Sequence, residues 1–583
     1  MLPGLAAALA SAVFSIIVPI VVRHAVDAIP RMVSLYQLYR GSGGEAYLYS
    51  FFFYTLIAAG VAVVLLSLIS GLFSFVMRQT VVVASRHIEY DLRNRLYDHL
   101  QRLSQGFYHR QATGDIITRA TSDIEKVRRY IGPAIMYAVR AVTIVGTVLV
   151  VMIIISPTLT AWALVPMPFL AVAIFFVSRL VHTRTDAMQR QYSSLTSRVQ
   201  EALAGVRVVK AYTREESEQE QFDAEAEGYK RRALDLALVD AAFRPVMVIL
   251  IGASTVLVVW VGGQLVMEGL ISLGNIAEYI IYVALMTWPV ASFGYVISMI
   301  QQAAASANRL WEILDAPPDV LDTNRTNFTL DAVQGHISFE NVTYRYTPAT
   351  PDVLQDISFD VPAGTTLGVV GRTGAGKTTL IELIPRLIEP TGGTVRVDGH
   401  DVQTIPLAVL RSNIGYVPQE VFLFSDTVAG NIAFGALDAS RDLVRQAALE
   451  ADLLENVDDF PEGFETRVGE RGITLSGGQK QRTAIARALL RDPSILILDD
   501  ALSAVDTRTE DTILGHLRRH YGRRTIVIVS HRISAVQDAD QIIVLDEGRI
   551  AERGSHDELV EAGGLYADLH RKQLLEAQLA DVL

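Results

Sequence analysis

A glycine-rich segment in the second half of the chain has the spacing of a phosphate-binding loop. Residues 366–384 read "TLGVVGRTGAGKTTLIELI", where Gly371, Gly376, Lys377 and Thr378 fit GxxxxGK[ST] between a strand pattern and a helix pattern. Such glycines let backbone N–H groups converge on phosphate oxygens at a helix N-terminus. Lys377 would place a cation near the β- and γ-phosphates, and Thr378 would offer Mg²⁺ a hydroxyl ligand. The predicted cofactor-binding loop is Gly371, Arg372, Thr373, Gly374, Ala375, Gly376, Lys377, Thr378 and Thr379.

Two adjacent carboxylates follow an apolar run farther along the chain. Residues 496–506 read "LILDDALSAVD", and the apolar run 495–498 predicts a buried strand that Asp499 closes. A carboxylate at that position suits Mg²⁺, so Asp499 joins Thr378 as a predicted metal ligand. The residue types by themselves leave the role of Asp500 open.

Net charge divides the chain into two halves. Its 583 residues exceed what one hydrophobic core usually organises, which predicts at least two domains. Residues 1–335 carry 27 Lys and Arg against 26 Asp and Glu, whereas residues 336–583 carry 24 against 37. Non-specific nucleic-acid binding depends on phosphate neutralisation by Lys and Arg, so the acidic half argues against a nucleic-acid partner. The absence of cysteine excludes disulfides and thiolate metal sites.

Six apolar runs in the first half are long enough to cross a membrane, which takes about 20 residues. The first run has neither the basic region before it nor the cleavage site after it that mark a signal peptide, so it is also predicted to span. Prolines interrupt some runs, which membrane helices tolerate when their neighbours satisfy the freed backbone groups. The runs centre on residues 4–22, 51–76, 131–155, 158–181, 243–266 and 274–300.

The segments between the runs orient the spans. Long, charged segments with helical periodicity follow the second and fourth runs, so spans two to five are predicted to continue as helices well past the bilayer. Residues 78–129 contain ten Lys and Arg, while the short segments 156–158 and 267–275 contain none. The positive-inside rule therefore places the long segments, and the acidic half after the sixth span, in the cytoplasm.

Charge is costly within a membrane span, and three of the charged residues in the predicted spans are candidates for a role there. Arg140 and Arg244 are expected to face a cavity or to extend to the inner interface. Glu278, near the outer end of the sixth span, is expected to face a cavity or water.

The segment "LSGGQKQR" (475–482) resembles the signature of ATP-binding cassette (ABC) proteins, and the resemblance spans nearly the whole chain. It identifies Gln419 as the Q-loop residue, His531 as the switch residue, and Tyr346 as the A-loop aromatic that stacks on adenine. The further matches are "YVPQEVFLF" (416–424), "TRVGERG" (466–472, the X-loop), "SAVD" (503–506, the D-loop), "IVIVSHR" (526–532), "NVTYRY" (341–346) and "TGDIITRATSDIEKV" (113–127, the first cytoplasmic loop of type IV exporters).

The resemblance implies a half-transporter, in which six spans are fused to one cassette. We expect an α-helical membrane domain at residues 1–313, a linker at 314–335 and an α/β P-loop nucleotide-binding domain at 336–583. Such chains usually carry a basic elbow helix before the first span. This chain begins almost inside that span, and its sequence leaves open whether the natural N-terminus lies upstream of Met1.

The resemblance also implies a dimer with ATP and Mg²⁺ as cofactors. Two cassettes would pack head to tail, with each ATP between the phosphate-binding loop of one chain and the signature of the other. The signature residues that would reach the partner's γ-phosphate are Ser476, Gly477, Gly478 and Gln479. Gln419 would contribute to the metal site with Thr378 and Asp499, and the implied catalytic residues are Asp500, His531 and Gln419.

Asp500 is a departure from the family pattern. The residue after the Mg²⁺ aspartate is usually a glutamate that polarises the attacking water, and a base must come within roughly 2.6–3.2 Å of its proton. Aspartate is shorter by about 1.5 Å, and a misplacement on the order of 1 Å can cost about 100-fold in rate. We therefore expect this chain to bind ATP and to hydrolyse it slowly at its own site.

The departure favours a heterodimer. The intact signature would complete the productive site of a partner with a glutamate, as in the degenerate-site subunits of heterodimeric multidrug exporters and antigen-peptide transporters. The alternative is a homodimer in which Asp500 is a working base.

The leading function is ATP-driven export of amphipathic drugs, lipids or hydrophobic peptides, from a bacterial inner membrane with the cassette in the cytoplasm. A second class is an ATP-gated channel or regulator. The six spans exclude a soluble cassette ATPase, and the fused domains disfavour an importer. The sequence does not identify the substrate or the partner.

Overall fold

The protein divides into two compact units in the computed structural model, which describes residues 1–41, 44–436, 438–469, 475–519 and 522–582. The first unit comprises Met1–Leu100 and Gly114–Asp315. The second comprises Gln101–Thr113 and Ala316–Leu583. The short segment Gln101–Thr113 therefore packs with the second unit, although it connects two long helices of the first.

Among the described residues of the first unit, six helices are long and apolar enough to cross a membrane, as the hydropathy pattern predicts. Their bounds are Leu2–Tyr39, Ala46–Arg102, Thr113–Ile155, Pro157–Ala204, Glu215–Met267 and Leu273–Leu314. In chain order the α-helices are α1 Leu2–Tyr39, α2 Glu45–Arg102, α3 Gln105–Arg110, α4 Thr113–Thr118, α5 Ile124–Arg129, α6 Ile135–Ile155, α7 Pro157–Leu164, α8 Pro166–Ala204, α9 Val206–Ala211, α10 Glu215–Met267 and α11 Leu273–Leu314. The helix from Thr113 to Ile155 includes two π-helical turns, Arg119–Asp123 and Tyr130–Ala134.

Several of these helices extend far beyond a bilayer. At 1.5 Å per residue, the 58 residues of α2 span about 87 Å, whereas the hydrocarbon core is about 30 Å thick. The helices α8 and α10 are likewise 39 and 53 residues long and pack along each other. The prediction that spans two to five continue as helices past the membrane is thus confirmed.

In each of the two short connections, a serine side chain caps the N-terminus of the helix that follows. Ser156 separates α6 from α7, and its hydroxyl accepts a hydrogen bond from the backbone N–H of Leu159 at 3.2 Å. Ser272 begins α11 through a capping box with Asn275. These caps satisfy N–H groups that the first helical turn leaves without partners.

Glu278 is fully buried between α11 and α1, which corrects the expectation that it faces a cavity or water. Arg23 of α1 donates to its Oε2 at 3.3 Å, Asn275 Nδ2 donates to the same oxygen at 3.2 Å, and the Tyr282 hydroxyl donates to Oε1 at 3.0 Å.

Asp27 of α1 accepts hydrogen bonds from Ser272 and Gly274 at 2.7 Å each. The N-terminal end of α11 is therefore joined to α1 by charge as well as by packing. Arg140 is half-buried, and the side chain of Arg244 lies outside the described residues.

Arg23→Met should destabilise the first unit, because it leaves the Glu278 carboxylate buried without its cation. Loss of one partner from a buried pair typically costs about 3–5 kcal/mol. The melting temperature of the purified protein should fall, and Glu278→Gln in the same chain should recover most of the loss. Arg184→Met is the control, since it removes an exposed pair with Asp235 and should change little. An unchanged melting temperature in Arg23→Met would contradict the assignment.

The second unit contains two β-sheets with their helices. Strands β1 Ile337–Tyr344, β2 Leu354–Val361, β4 Gly392–Val397 and β5 His400–Asp401 form an antiparallel sheet in the order β2-β1-β4-β5. Strands β3 Thr366–Gly371, β6 Ile414–Val417, β7 Ile495–Asp499, β8 Thr525–Val529, β9 Gln541–Asp546 and β10 Arg549–Gly554 form a six-stranded sheet in the order β10-β9-β3-β8-β7-β6. The helices are α12 Lys377–Glu382, α13 Leu407–Ser412, α14 Val428–Ala433, α15 Arg441–Glu450, α16 Leu454–Asp458, α17 Gly477–Leu489, α18 Thr507–Arg518, α19 His556–Ala562 and α20 Leu565–Val582.

The parallel arrangement of β3, β8 and β7 positions the functional residues. Every residue of these three strands is buried, as expected for a parallel sheet covered on both faces. Because β8 lies between β3 and β7, the carboxyl ends of all three meet at one edge of the sheet. Ligands of open α/β sheets bind outside that edge. The architecture predicted from the sequence, apolar membrane helices joined to an α/β domain, is confirmed by the residues that the structure describes.

Candidate nucleotide-binding site

A cavity of about 590 Å³ lies at the carboxyl edge of the six-stranded sheet. It brings together residues that are far apart in the sequence, from the segment between β1 and β2, the phosphate-binding loop, the Q-loop and the ends of β7 and β8. Eleven of the predicted residues line it: Tyr346, Thr373, Gly374, Gly376, Lys377, Thr378, Thr379, Gln419, Asp499, Asp500 and His531. The lining also includes Val353, Val529 and Ser530, which the sequence motifs did not single out.

The loop between β3 and α12 requires glycine at two lining positions. Gly374 and Gly376 have φ angles of +84° and +96°, in the left-handed region that side chains other than glycine rarely adopt. A Cβ at Gly376 would also lie 2.9 Å from Leu354 Cδ2. Lys377 Nζ donates to the backbone carbonyls of Gly371 and Arg372 at 2.8 and 3.0 Å. These bonds fold the lysine back over the loop, while Ala375 is buried beneath it.

Asp499 and Thr378 form the oxygen cluster that the metal prediction requires. Burial raises the pKa of Asp499 and the neighbouring Asp500 raises it further, while a hydrogen bond from Thr378 and the charge of Lys377 oppose the shift. Asp499 Oδ2 is buried and accepts no hydrogen bond, so one acceptor in this cluster is left for a cation. A carboxylate, a hydroxyl and the Gln419 amide are the hard oxygen ligands that Mg²⁺ prefers. The residues present therefore fit the ion.

Lys377 shares the electrostatics of this cluster. Burial lowers the pKa of its ammonium group, and the nearby carboxylates of Asp500 and Asp499 raise it in opposition. The cavity thus combines one cation with two carboxylates close to the loop that would hold phosphates. This balance suits a Mg²⁺–triphosphate ligand, whose metal offsets the carboxylates and whose phosphates offset the lysine.

Asp500 is held by its backbone rather than by its side chain. Its φ is +47°, a left-handed conformation that aspartate tolerates better than most residues. Its N–H donates to Val529 at 2.9 Å, and its carbonyl accepts from Ser503 Oγ at 2.8 Å. Its Oδ1 lies 2.8 Å from His531 Nδ1, within ion-pairing distance but not aligned for a hydrogen bond. The two implied catalytic side chains are therefore neighbours at the ends of β7 and β8.

Tyr346 lines the cavity beside the phosphate-binding loop. Its hydroxyl lies 2.9 Å from Thr379 Oγ1, and its ring is perpendicular to that of Tyr344 with centroids 5.1 Å apart. Burial raises the pKa of Tyr346, so the ring stays neutral at physiological pH. A neutral aromatic ring beside the phosphate-binding loop is suited to stack on a nucleotide base.

Glu382 is a buried acid of this region that the motifs did not reveal. It ends α12, is 7% exposed, and its Oε2 accepts no hydrogen bond. Burial, together with the charge of Asp499, raises the pKa of Glu382 to about 7. The sequence could have placed Glu382 near the site, because it lies one helical turn after Thr378 and residues i and i+4 share one face of a helix.

The predicted signature lies elsewhere on the second unit. Ser476 caps α17 through a capping box, in which Gln479 N donates to Ser476 Oγ at 3.2 Å. Gly477 and Gly478 pack closely against Ala504, so that a Cβ at Gly478 would lie 2.9 Å from its carbonyl oxygen. Residues Ser476 to Gln479 do not line the cavity that contains Lys377. The X-loop prediction falls partly outside the described residues, because 470–472 are among those the structure does not describe.

Comparisons with known proteins agree with this architecture. Residues 1–290 match the family described as ABC transporter transmembrane region, and residues 354–503 match the family described as ABC transporter. The "Probable multidrug resistance ABC transporter ATP-binding/permease protein YheI" of Bacillus subtilis is 39% identical over 485 residues, covering 83% of each chain. The "ATP-dependent lipid A-core flippase" of Methylococcus capsulatus is 34% identical over 510 residues, covering 87% of this chain and 84% of the relative.

A solved structure of a bacterial Atm1-family ABC exporter with ATP bound superposes with a TM-score of 0.75. The two chains are 27% identical, and the superposition covers 98% of this chain and 97% of the solved one. The chain thus belongs to the ABC transporters, within the exporters that fuse a membrane region to an ATP-binding cassette. It is an ATP-hydrolysing transporter of the membrane.

The raised pKa of Glu382 predicts a pH-dependent stability. A folded-state pKa near 7 exceeds the ordinary value of 4.5, so the folded protein holds the proton more tightly and stability is lost as pH rises from about 4.5 to 7. Glu382→Gln, which cannot ionise, should raise the melting temperature at pH 8 and change it little at pH 4.5. The measurement is thermal unfolding without nucleotide or Mg²⁺ at the two pH values. Equal shifts at both would contradict the prediction.

Lys377→Ala should weaken ATP binding to this chain's own site by at least about tenfold, because the phosphates lose their cation and the carboxylates are no longer offset. Photo-labelling of the chain by azido-ATP measures the change. Lys572→Ala, at an exposed position of α20, is the matched control and should label like the wild type. Unchanged labelling of Lys377→Ala would exclude the assigned phosphate-binding loop.

Proposed function

We propose that the protein is one subunit of an ATP-driven exporter that moves amphipathic or hydrophobic substrates out of the cytoplasm by alternating access. The observation that carries the proposal is the cavity in which the phosphate-binding loop, Asp499, Asp500 and His531 meet. The two named relatives, a multidrug resistance transporter and a lipid A-core flippase, support drugs or lipids as the substrate class, and hydrophobic peptides share the same chemistry.

Each residue of the cavity has a proposed role in holding ATP. Tyr346 stacks on adenine, residues 371–379 and Lys377 hold the phosphates, and Thr378, Gln419 and Asp499 hold Mg²⁺. The ion, when bound, neutralises charge on the β- and γ-phosphates. Gln419, His531 and Asp500 surround the γ-phosphate position, where Asp500 is the nearest group to a general base.

Hydrolysis at this site is proposed to be slow because Asp500 is short and held in place. Its backbone is fixed by bonds to Val529 and Ser503, so the backbone shift that would bring the carboxylate closer to a water is opposed. Its carboxylate is directed toward His531 instead. A base that misses its proton by about 1 Å loses about 100-fold in rate.

The signature is proposed to act on a partner's nucleotide. Exporters of this family work as dimers, and residues Ser476, Gly477, Gly478 and Gln479 lie outside this chain's own cavity. In a head-to-tail pair the Ser476 hydroxyl and the glycine N–H groups reach the partner's γ-phosphate. We propose a heterodimer with a second ABC half-transporter that carries glutamate after its Mg²⁺ aspartate. The competing arrangement is a homodimer with Asp500 as a working base.

The proposed organisation follows from charge and hydropathy. Residues 1–313 form the membrane domain in a bacterial inner membrane, in contact with lipid, 314–335 form a linker, and 336–583 form the cytoplasmic cassette. The ten Lys and Arg of residues 78–129 support the orientation through the positive-inside rule. The acidic cassette supports the absence of a nucleic-acid partner.

Two variants of this chain should affect the heterodimer unequally. Asp500→Asn should leave most of the ATPase activity, because turnover comes from the site built on the partner's glutamate. Ser476→Arg should abolish it, because a bulky side chain replaces γ-phosphate donors in that site. Asp500→Glu should raise activity if the partner's signature is competent. The measurement is ATPase activity of the purified assembly.

Ser440→Arg is the matched control for Ser476→Arg. Ser440 also caps a helix of the cassette through its hydroxyl, but it lies outside the signature. Its replacement should leave turnover close to the wild-type rate. If Asp500→Asn eliminates turnover while ATP still binds, then Asp500 is a working base and the homodimer is the correct assembly.

A further inference from the structure

The short helix α3 belongs to the same compact unit as the nucleotide-binding cavity, although it lies more than 200 residues before it in the chain. Two contacts anchor the helix on Asp319. Ser104 Oγ donates to Asp319 Oδ2 at 3.2 Å, and an Arg110 guanidinium nitrogen lies 3.9 Å from the same oxygen. Phe107, between them, is buried. Polar contacts at both ends and a buried ring in the middle define how α3 sits on the second unit.

This placement sets the His109 imidazole against the Tyr346 ring. The ring centroids are 5.7 Å apart and the planes differ by 18°, which is a stacked arrangement. The Tyr344 ring packs perpendicular to the same ring, and Thr379 contacts its hydroxyl. Tyr346 is thus stacked on His109, packed against Tyr344 and held at its hydroxyl by Thr379.

We propose that His109 is a positioning residue for base recognition: it backs Tyr346 and holds the ring in the orientation that stacks on adenine. The proposal rests on the proposed function, in which Tyr346 contacts the base of ATP. An unsupported tyrosine would lose rotational freedom when the base binds. A ring already held by three neighbouring side chains has less freedom to lose. Base recognition in the cassette then depends on a residue that the first cytoplasmic loop supplies.

The competing arrangement makes the opposite prediction. If His109 occupied the face that adenine uses, ATP would have to displace the imidazole, and removal of the ring would strengthen ATP binding. If α3 only supports the fold, removal of the ring would disturb ligands with and without a base alike. The direction and the ligand dependence of the effect therefore distinguish the three cases.

The test compares two ligands on the purified full-length protein. ATP carries a base, whereas inorganic tripolyphosphate carries only the phosphates, and both are measured by equilibrium competition against radiolabelled ATP. His109→Ala should weaken ATP binding about three- to tenfold, the range expected for one aromatic pair, and leave tripolyphosphate binding unchanged. His109→Phe should restore ATP binding, because it keeps a planar ring behind Tyr346. Gln105→Ala, an exposed change on the same helix, should bind both ligands like the wild type.

A double-mutant cycle tests whether His109 acts through Tyr346. In a Tyr346→Ala background the change His109→Ala should have no further effect on ATP affinity, because the ring it supports is gone. Additive losses, tighter ATP binding in His109→Ala, or equal weakening of ATP and tripolyphosphate would each overturn the proposal. Failure of the wild type to bind ATP would instead refute the proposed function, so the two failures are distinguishable.

Discussion

The buried parallel arrangement of β3, β8 and β7 is the constraint on which the nucleotide site depends. These strands are apolar and covered on both faces, so polar groups can appear only where the strands end. Their order in the sheet places the phosphate-binding loop, His531 and the pair Asp499–Asp500 at one edge. The chemistry of the cassette follows from that edge, because three segments far apart in the chain must turn there within a few ångströms of each other.

The same edge brings buried carboxylates and a buried lysine together in a small volume. Burial favours the neutral form of Asp499 and of Glu382, while Lys377 opposes that effect at Asp499. A ligand that brings both a metal and phosphates relieves both costs, which explains why an acidic cassette can hold a polyanion. Asp500 differs from its neighbours because its backbone has left-handed geometry and its side chain lies beside His531.

In the first unit, charge has a structural role as well. Glu278 and Asp27 join α1 to the N-terminal end of α11 through Arg23, Ser272 and the backbone of Gly274. A carboxylate that is fully buried in an apolar helix bundle persists only when its hydrogen bonds are satisfied, and three donors satisfy Glu278. The π-helical turn at Arg119–Asp123 is a comparable case, since Asp123 there accepts from Arg309 and Ser306 of α11.

Local patterns in the sequence determined the six spans, the long helices beyond them, the phosphate-binding loop and the Asp499 strand. Hydropathy, period and loop spacing are properties of neighbouring residues, so they need no knowledge of the fold. The burial of Glu278, the pairing of Asp500 with His531, the buried acid Glu382 and the stack of His109 on Tyr346 depended on the tertiary structure. Each of these features depends on groups that only packing brings together. Arg23 and Glu278, for example, are 255 positions apart in the sequence. The sequence therefore predicted which groups could do chemistry, and the fold decided which of them face one another.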